Sequence, residues 1–327
     1  MSELRLEPFT QEWITIAAKR LGRPVTNSAS GCPFCPAPDG ASVGERQQSE
    51  APRADYSVAV FPNRYPSFGG VPQALGGPAE GYVQTPAGGR AEIVLYSPRH
   101  DTHLALLPER DVRLLIRVWA DRTRLLLRDP SVRYVLCFEN RGQQVGQTIH
   151  HPHGQIYGYP VVPARVAREL EQVEAFRRVE GDCLQCEILR RERRAQSRLV
   201  DGEDGWQAFV PFAPRFPFEQ HLAPLRHVAW LADLTAAEVG GLARLLQRTV
   251  GRYDALHQEP MPYMMCIYQG VPQDDSDDLW HLRVSFFPVH RARSRLKYLA
   301  GSESGASAFL QDATPEAMAA ALRGVAL

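Results

Sequence analysis

The chain has 327 residues, 44% of them hydrophobic and 23% charged, a composition that excludes disordered and fibrous proteins and leaves room for one large or two medium domains. Lysine plus arginine and aspartate plus glutamate both number 37, so there is no net charge to hold a nucleic-acid backbone. No window approaches the 18 apolar residues of a bilayer span, and the opening MSELRLEPFTQEW lacks the basic-then-apolar layout of an export signal. The expectation is a cytoplasmic protein with neither a membrane nor a nucleic acid as partner.

In chain order, the first feature is the pair Cys32-Pro-Phe-Cys35, followed by a Gly/Pro/Ala/Ser-rich loop over 38–55. An apolar strand with an aromatic-proline turn follows over Tyr56 to Phe68, then a second loop over 69–90 and the segment YSPRHDTHLALLPE with His100. Val112, Leu115, Ile116 and Trp119 at helical spacing predict a helix from Glu109 to Arg128. Strands are expected over Tyr134 to Glu139 and Ile149 to Tyr157, and a charged helix over Ala164 to Arg178.

The second half repeats this order. Cys183-Leu-Gln-Cys186 starts 151 residues after the first pair, and LAPLRHVAWLADLT with His227 mirrors the His100 segment. Val239, Leu242, Leu245, Leu246 and Val250 predict a helix over Ala236 to Leu256, with strands over Met264 to Tyr268 and Leu282 to Phe287. Thr314-Pro315-Glu316 opens a short capped helix to Leu322. Two strand-rich units crossed by helices predict an α+β fold, mostly antiparallel, in which both halves share one sheet. The boundary falls near 180, giving halves 1–180 and 181–327. Cys137 and Cys266, alone in apolar runs, read as small core residues.

Two thiolates from a tight turn and two distant imidazoles make a closed tetrahedral set of the kind that holds structural zinc. For Cys32 and Cys35 the candidates are His100 and one of His150, His151 and His153; no βαβ context supports a redox role. The run Gly146-Gln-Thr-Ile-His-His-Pro-His-Gly-Gln155 follows Phe138-Glu-Asn-Arg-Gly142. In an extended chain His151, His153 and Gln155 would share a face, with Pro152 marking an edge or irregularity. A neutral imidazole attacks phosphorus well and passes the group on, and glutamine can hydrogen-bond non-bridging oxygens as charge builds there. A third histidine in place of Gln155 could protonate a poor leaving group; glutamine suits one that departs unaided, such as a sugar phosphate, which favours transfer over hydrolysis.

Through RLEPFTQEWITIAAKRLGRP, FEN-x-G-x5-T-x2-HPHGQ and KYLAGSES, the sequence resembles the galactose-1-phosphate uridylyltransferase family, a two-repeat branch of the histidine-triad superfamily. The resemblance implies a ping-pong exchange of UMP between UDP-glucose and galactose 1-phosphate, with His153 as nucleophile and Gln155 beside it. It implies zinc on Cys32, Cys35, His100 and His151. It places Asn63 and Arg64 by the uridine, Arg20 to Arg23 (Arg20 and Arg23 as the charged pair) near the nucleotide, and Asn140, Gly146, Gln147, Thr148 and Gln155 around the phosphates. Lys297, Tyr298, Ser302 and Glu303 match the segment that meets the hexose phosphate, contributed in relatives by the partner of a homodimer with shared sites.

Three departures stand out. Relatives with a second metal site use histidines where LWHLRVSFFP has Arg283 and Ser285, although Glu169 and His281 remain. Cys183, Cys186 and His227 could form a zinc knot of their own, for which His281 is the remaining fourth candidate. Ser302 replaces an aromatic residue, which leaves the hexose open. A nucleotide-sugar phosphorylase, for example of an ADP-sugar, and a transferase for another sugar 1-phosphate are the sister activities.

Overall fold

The computed structural model describes residues 2–17, 32–36, 56–69, 81–272 and 279–326. Nine strands form one continuous sheet. The first half supplies β3 (Ala59–Pro62), β5 (Arg90–Leu95), β6 (Tyr134–Arg141) and β7 (His153–Tyr159). The second supplies β8 (Leu199–Glu203), β9 (Trp206–Phe209), β10 (Gln220–Pro224), β11 (Tyr263–Tyr268) and β12 (Arg283–Pro288). Their order is β3-β5-β7-β6-β11-β12-β10-β9-β8, and every adjacent pair is antiparallel.

The order reads as one four-strand motif and its mirror, joined at β6 and β11, with β8 added at the outer edge of the second half. Phe138 pairs with Cys266 at the join, flanked by Cys137 with Ile267 and Glu139 with Met265, so a pseudo-twofold axis passes through the Phe138–Cys266 pair. The α+β class and the single sheet shared by both halves are as the sequence predicts.

One face of the sheet carries two long helices. In α1 (Glu109–Leu126) the buried stripe is Val112, Leu115, Ile116, Trp119, Thr123 and Leu126. Its mate α4 (Ala236–His257) starts at a capping box, in which Thr235 accepts from the Glu238 backbone and Glu238 reaches back to Thr235. Both helices pack onto Val94, Val135, Ile156, Met265, Ile267, Val284 and Phe286, the apolar alternates of five strands. Between them in sequence come α2 (Ala164–Glu180) and α3 (Leu184–Ala195). The chain ends in α5 (Gly301–Ala306) and α6 (Pro315–Arg323), the latter capped by Thr314. A two-strand ribbon, β13 (His290–Ala292) and β14 (Arg295–Leu296), precedes α5. No described helix is long and apolar enough to cross a membrane.

Three details depart from the sequence expectations. Within the 69–90 loop, Gln84–Pro86 forms β4, which adds to β1 (Ser2–Leu6) and β2 (Trp13–Ala17) in a separate three-stranded sheet. The helix α3 follows directly on Cys183, where the sequence pattern shows only the second Cys-x-x-Cys turn. The strand expected from Ile149 starts four residues later, because Pro152 has no N–H for a ladder and its carbonyl accepts from the Tyr96 backbone instead (3.1 Å). The loop over 38–55 lies outside the described residues.

Candidate functional site

The face opposite the helices is where the conspicuous residues meet. On β7 the alternation puts His153, Gln155 and Tyr157 on this face, and Gly154 and Ile156 toward the helices. Register aligns Gln155 with Phe138 on β6, so Asn140 lies further along the same face.

At the start of β7, Cys32, Cys35, His100 and His151 converge, with one ligand atom from each lying within 4.8 Å of the others. The Cys35 sulfur is 3.4 Å from His100 Nδ1 and 3.6 Å from His151 Nδ1. His151 donates from Nε2 to the Ser97 carbonyl (2.8 Å), since a carbonyl can only accept, and that bond leaves Nδ1 with its lone pair toward the sulfurs. Burial lowers His151 to about 4, which keeps the ring neutral. Burial, with Cys32 beside it, pushes the Cys35 thiol up to about 12; a bound dication reverses that preference, because a thiolate is its natural counter-charge. His151 therefore leaves the expected row and turns inward, where it is wholly buried.

His153 is half-buried and oriented from both sides. Its Nδ1–H donates to the His151 carbonyl (2.7 Å), so Nε2 carries the free lone pair. Its ring meets Phe34 edge-on at 5.0 Å between centroids. Phe34 sits between the two cysteines, so the Cys-x-x-Cys turn also props the candidate nucleophile, a link that spacing alone does not reveal. Burial lowers the basicity of His153. Gln155 accepts at Oε1 from the Tyr157 hydroxyl (3.2 Å).

The glycine between them is a packing requirement. A Cβ at Gly154 would lie 2.2 Å from the Tyr96 hydroxyl and 3.0 Å from the Phe138 carbonyl. Gly154→Ala is expected to cost roughly 1–3 kcal/mol by overpacking. Adding Tyr96→Phe removes the nearer clash, so the double variant should recover part of the loss in melting temperature; no recovery would place the strain elsewhere.

The remaining residues divide. Gln147 accepts at Oε1 from the Gly142 backbone (2.7 Å), pinning the loop after β6, and Gly146 turns it in the left-handed region. Thr148 follows in the same half-buried loop. Asn63 accepts from the Tyr65 backbone (2.8 Å) beside Arg64, and its own N–H bonds to Ala91 on β5. Lys297 pairs with Glu303 (2.9 Å), Ser302 donates to the Ala308 carbonyl (2.8 Å), and Tyr298 is exposed. Within one chain, the side chains of this segment bond to their own neighbourhood and not to the His153 strand. Arg20 and Arg23 lie outside the described residues.

Across the pseudo-twofold axis the first Cys/His group has a twin. Cys183, Cys186, His227 and His281 also lie within 4.8 Å of one another, and His281 fills the fourth position. His281 Nδ1 is 3.7 Å from the Cys183 sulfur and 3.5 Å from that of Cys186, and Nε2 donates to the Pro224 carbonyl (2.9 Å), as His151 does to Ser97. Where His153 stands in the first half, Arg283 stands in the second. It is bound to Glu169 (2.8 Å) and, through Nε, to the Ser285 hydroxyl (3.1 Å), so this place is no cation site. Arg283 and Arg165 together lower Glu169 to about 2 against the cost of its burial.

Comparison with known proteins gives a consistent result. The model of the galactose-1-phosphate uridyl transferase N-terminal domain matches residues 1–163, and that of the C-terminal domain matches 169–327. A galactose-1-phosphate uridylyltransferase of Thermotoga maritima is 35% identical over 325 residues, spanning 99% of this chain and 98% of the relative. An ADP-glucose phosphorylase of Arabidopsis thaliana is 24% identical, over 99% of this chain and 93% of its own. A solved uridylyltransferase structure superposes with a TM-score of 0.85 at 34% identity, covering 98% of this chain and 97% of the other.

Proposed function

The chain belongs to the galactose-1-phosphate uridylyltransferase family, and from that premise we infer that it exchanges UMP between UDP-glucose and galactose 1-phosphate through a uridylyl group carried on His153. The observation that carries this reading is the His153 Nδ1–H bond to the His151 carbonyl, which puts the proton on Nδ1 and leaves the lone pair on Nε2.

In the first displacement Nε2 attacks the α-phosphorus, the bond to the bridging oxygen breaks, and glucose 1-phosphate leaves with the electron pair. The ring becomes cationic, and the His151 carbonyl, already hydrogen-bonded at Nδ1, stabilises that charge. In the second, a phosphate oxygen of galactose 1-phosphate attacks the same phosphorus, the P–N bond breaks, and UDP-galactose leaves. Gln155, Asn140, Gly146, Gln147 and Thr148 surround the phosphates in this reading. Asn63, Arg64, Arg20 and Arg23 serve the nucleotide. Lys297, Tyr298, Ser302 and Glu303 reach the hexose phosphate from the second subunit of a homodimer, a reading supported by the bonds of Lys297 and Ser302 within one chain, which go to Glu303, Leu310 and Ala308.

We propose zinc for both Cys/His groups. Bond lengths around a tetrahedral zinc put a thiolate and an imidazole nitrogen about 3.5 Å apart, and the sulfur–nitrogen separations here run from 3.4 to 3.7 Å. The metal's part is to fix the turns. The halves 1–180 and 181–327 are then two copies of one metal-braced unit, of which the first keeps a nucleophile.

Because the two displacements are separate, labelled glucose 1-phosphate should exchange into UDP-glucose with no galactose 1-phosphate present. A requirement for both substrates would contradict the uridylyl-enzyme. Lowered basicity sets the pH profile: the acid limb of kcat/KM for UDP-glucose should be centred below the ordinary imidazole value of about 6.5. An acid limb centred above 7 would show that His153 is not held neutral by burial.

A further inference from the structure

On the site face of the second half, beside Arg283, lies a cavity of about 510 Å3. It is the pseudo-symmetric counterpart of the His153 site, and its lining offers donors far in excess of acceptors. Arg165 and Arg283 both bind Glu169, at 2.9 and 2.8 Å. Arg215 stacks on Phe309 with its guanidinium carbon 4.2 Å from the ring centroid, and neither it nor the exposed Arg168 has an ion pair among the described residues. Two further donors are buried and unsatisfied: Trp280 Nε1, on a side chain 3% exposed, and Gln185 Nε2, on one 8% exposed. With Glu12 as the other carboxylate, four guanidiniums face two acids among the described residues of the wall.

An unsatisfied buried donor costs on the order of 1–3 kcal/mol, so a cluster of them around one space calls for an acceptor-rich occupant. We propose that this cavity binds a phosphorylated small molecule, held at its phosphoryl group by Arg215 and Arg168 and flanked by the Trp280 and Gln185 donors. The guanidinium is suited to this because its planar fork matches phosphate oxygens in pairs. Burial and the neighbouring Arg165 disfavour the charge on Arg215, a penalty an anion would relieve. Chemistry stops at binding, since Arg283 stands where the nucleophile would be. The second half is thus a retained phosphate pocket without a group to transfer to.

Equilibrium dialysis of the full chain against radiolabelled inorganic phosphate tests this. The expected result is a saturable site weakened at least tenfold by Arg215→Ala and, in a substitution at an exposed position that should not disturb folding, by Arg168→Glu. Exchange of UMP should keep its wild-type kcat in both. Glucose 1-phosphate and UMP serve as competitors: displacement by either below the concentration needed with phosphate itself supports an organic phosphate as occupant, and equal potency supports free phosphate. Three results would overturn the proposal. One is no saturable binding. Another is full affinity in both arginine variants. The third is affinity lost in His153→Ala but kept in the arginine variants, which would put the phosphate in the catalytic site while leaving the transfer reading intact.

Discussion

His153→Ala is expected to lower UMP exchange by about 10^5-fold or more, the scale on which loss of a covalent nucleophile is felt when neighbouring groups cannot replace it. No described group stands ready as a substitute: His151 is wholly buried with its Nδ1 among the sulfurs, and Gln155 has no comparable lone pair on nitrogen. Incubation with uridine-labelled UDP-glucose should leave an acid-labile adduct on the wild type and none on the variant. An adduct that persists in His153→Ala would move the nucleophile elsewhere. The variant should still fold, because the second half carries Arg283 at the equivalent strand position within the same sheet. Its metal content and melting temperature should therefore stay near wild type, which separates chemistry from collapse. His153→Gln is the harsher test, since it leaves a polar side chain beside the His151 carbonyl but supplies no nucleophile.

Much of this fold is legible in the amino-acid sequence, for a physical reason in each case. The helices α1 and α4 are long enough for a 3.6-residue stripe to stand out, and every residue the pattern names in them is buried. The duplication shows because both halves keep a Cys-x-x-Cys and a histidine in the same order. Features that depend on contacts between distant residues are not legible in this way. His281, which the sequence offers only as a remaining candidate for the second group, lies 95 residues beyond Cys186, and the pairing of β12 with β10 and β11 carries it there. Strand periodicity extends the row His151-His153-Gln155 one residue pair too far, because it ignores Pro152, which ends the ladder and frees His151 to face the cysteines. That Gly154 is needed follows from the Tyr96 hydroxyl above it, and that Phe34 props His153 follows from how the first turn folds back. The donor-lined cavity draws on α2, α3 and the segment before β12, and no local pattern announces it.

The two metal groups are expected to respond differently to the same lesion. Cys35→Ser should reduce bound zinc by one equivalent per chain and lower kcat by about 100-fold, the scale of a misplacement near 1 Å at a reacting centre. The coupling is direct: His151 turns its Nδ1 to the Cys35 sulfur and supplies the carbonyl that orients His153, and Phe34, between the two cysteines, touches the His153 ring. Cys186→Ser should remove the other equivalent and lower the melting temperature, yet change kcat by less than about twofold, because the strand it braces presents Arg283 rather than a nucleophile. Chelation of the wild type should therefore act slowly and in step with loss of structure, and added magnesium should not restore activity at once, since an imidazole and fixed hydrogen bonds handle the charge. Zinc content by atomic absorption, read beside kcat and melting temperature for the two variants, decides the matter. Equal kcat losses in both would mean that the braces act only through global stability, and an unchanged kcat in Cys35→Ser would detach the first brace from the chemistry altogether.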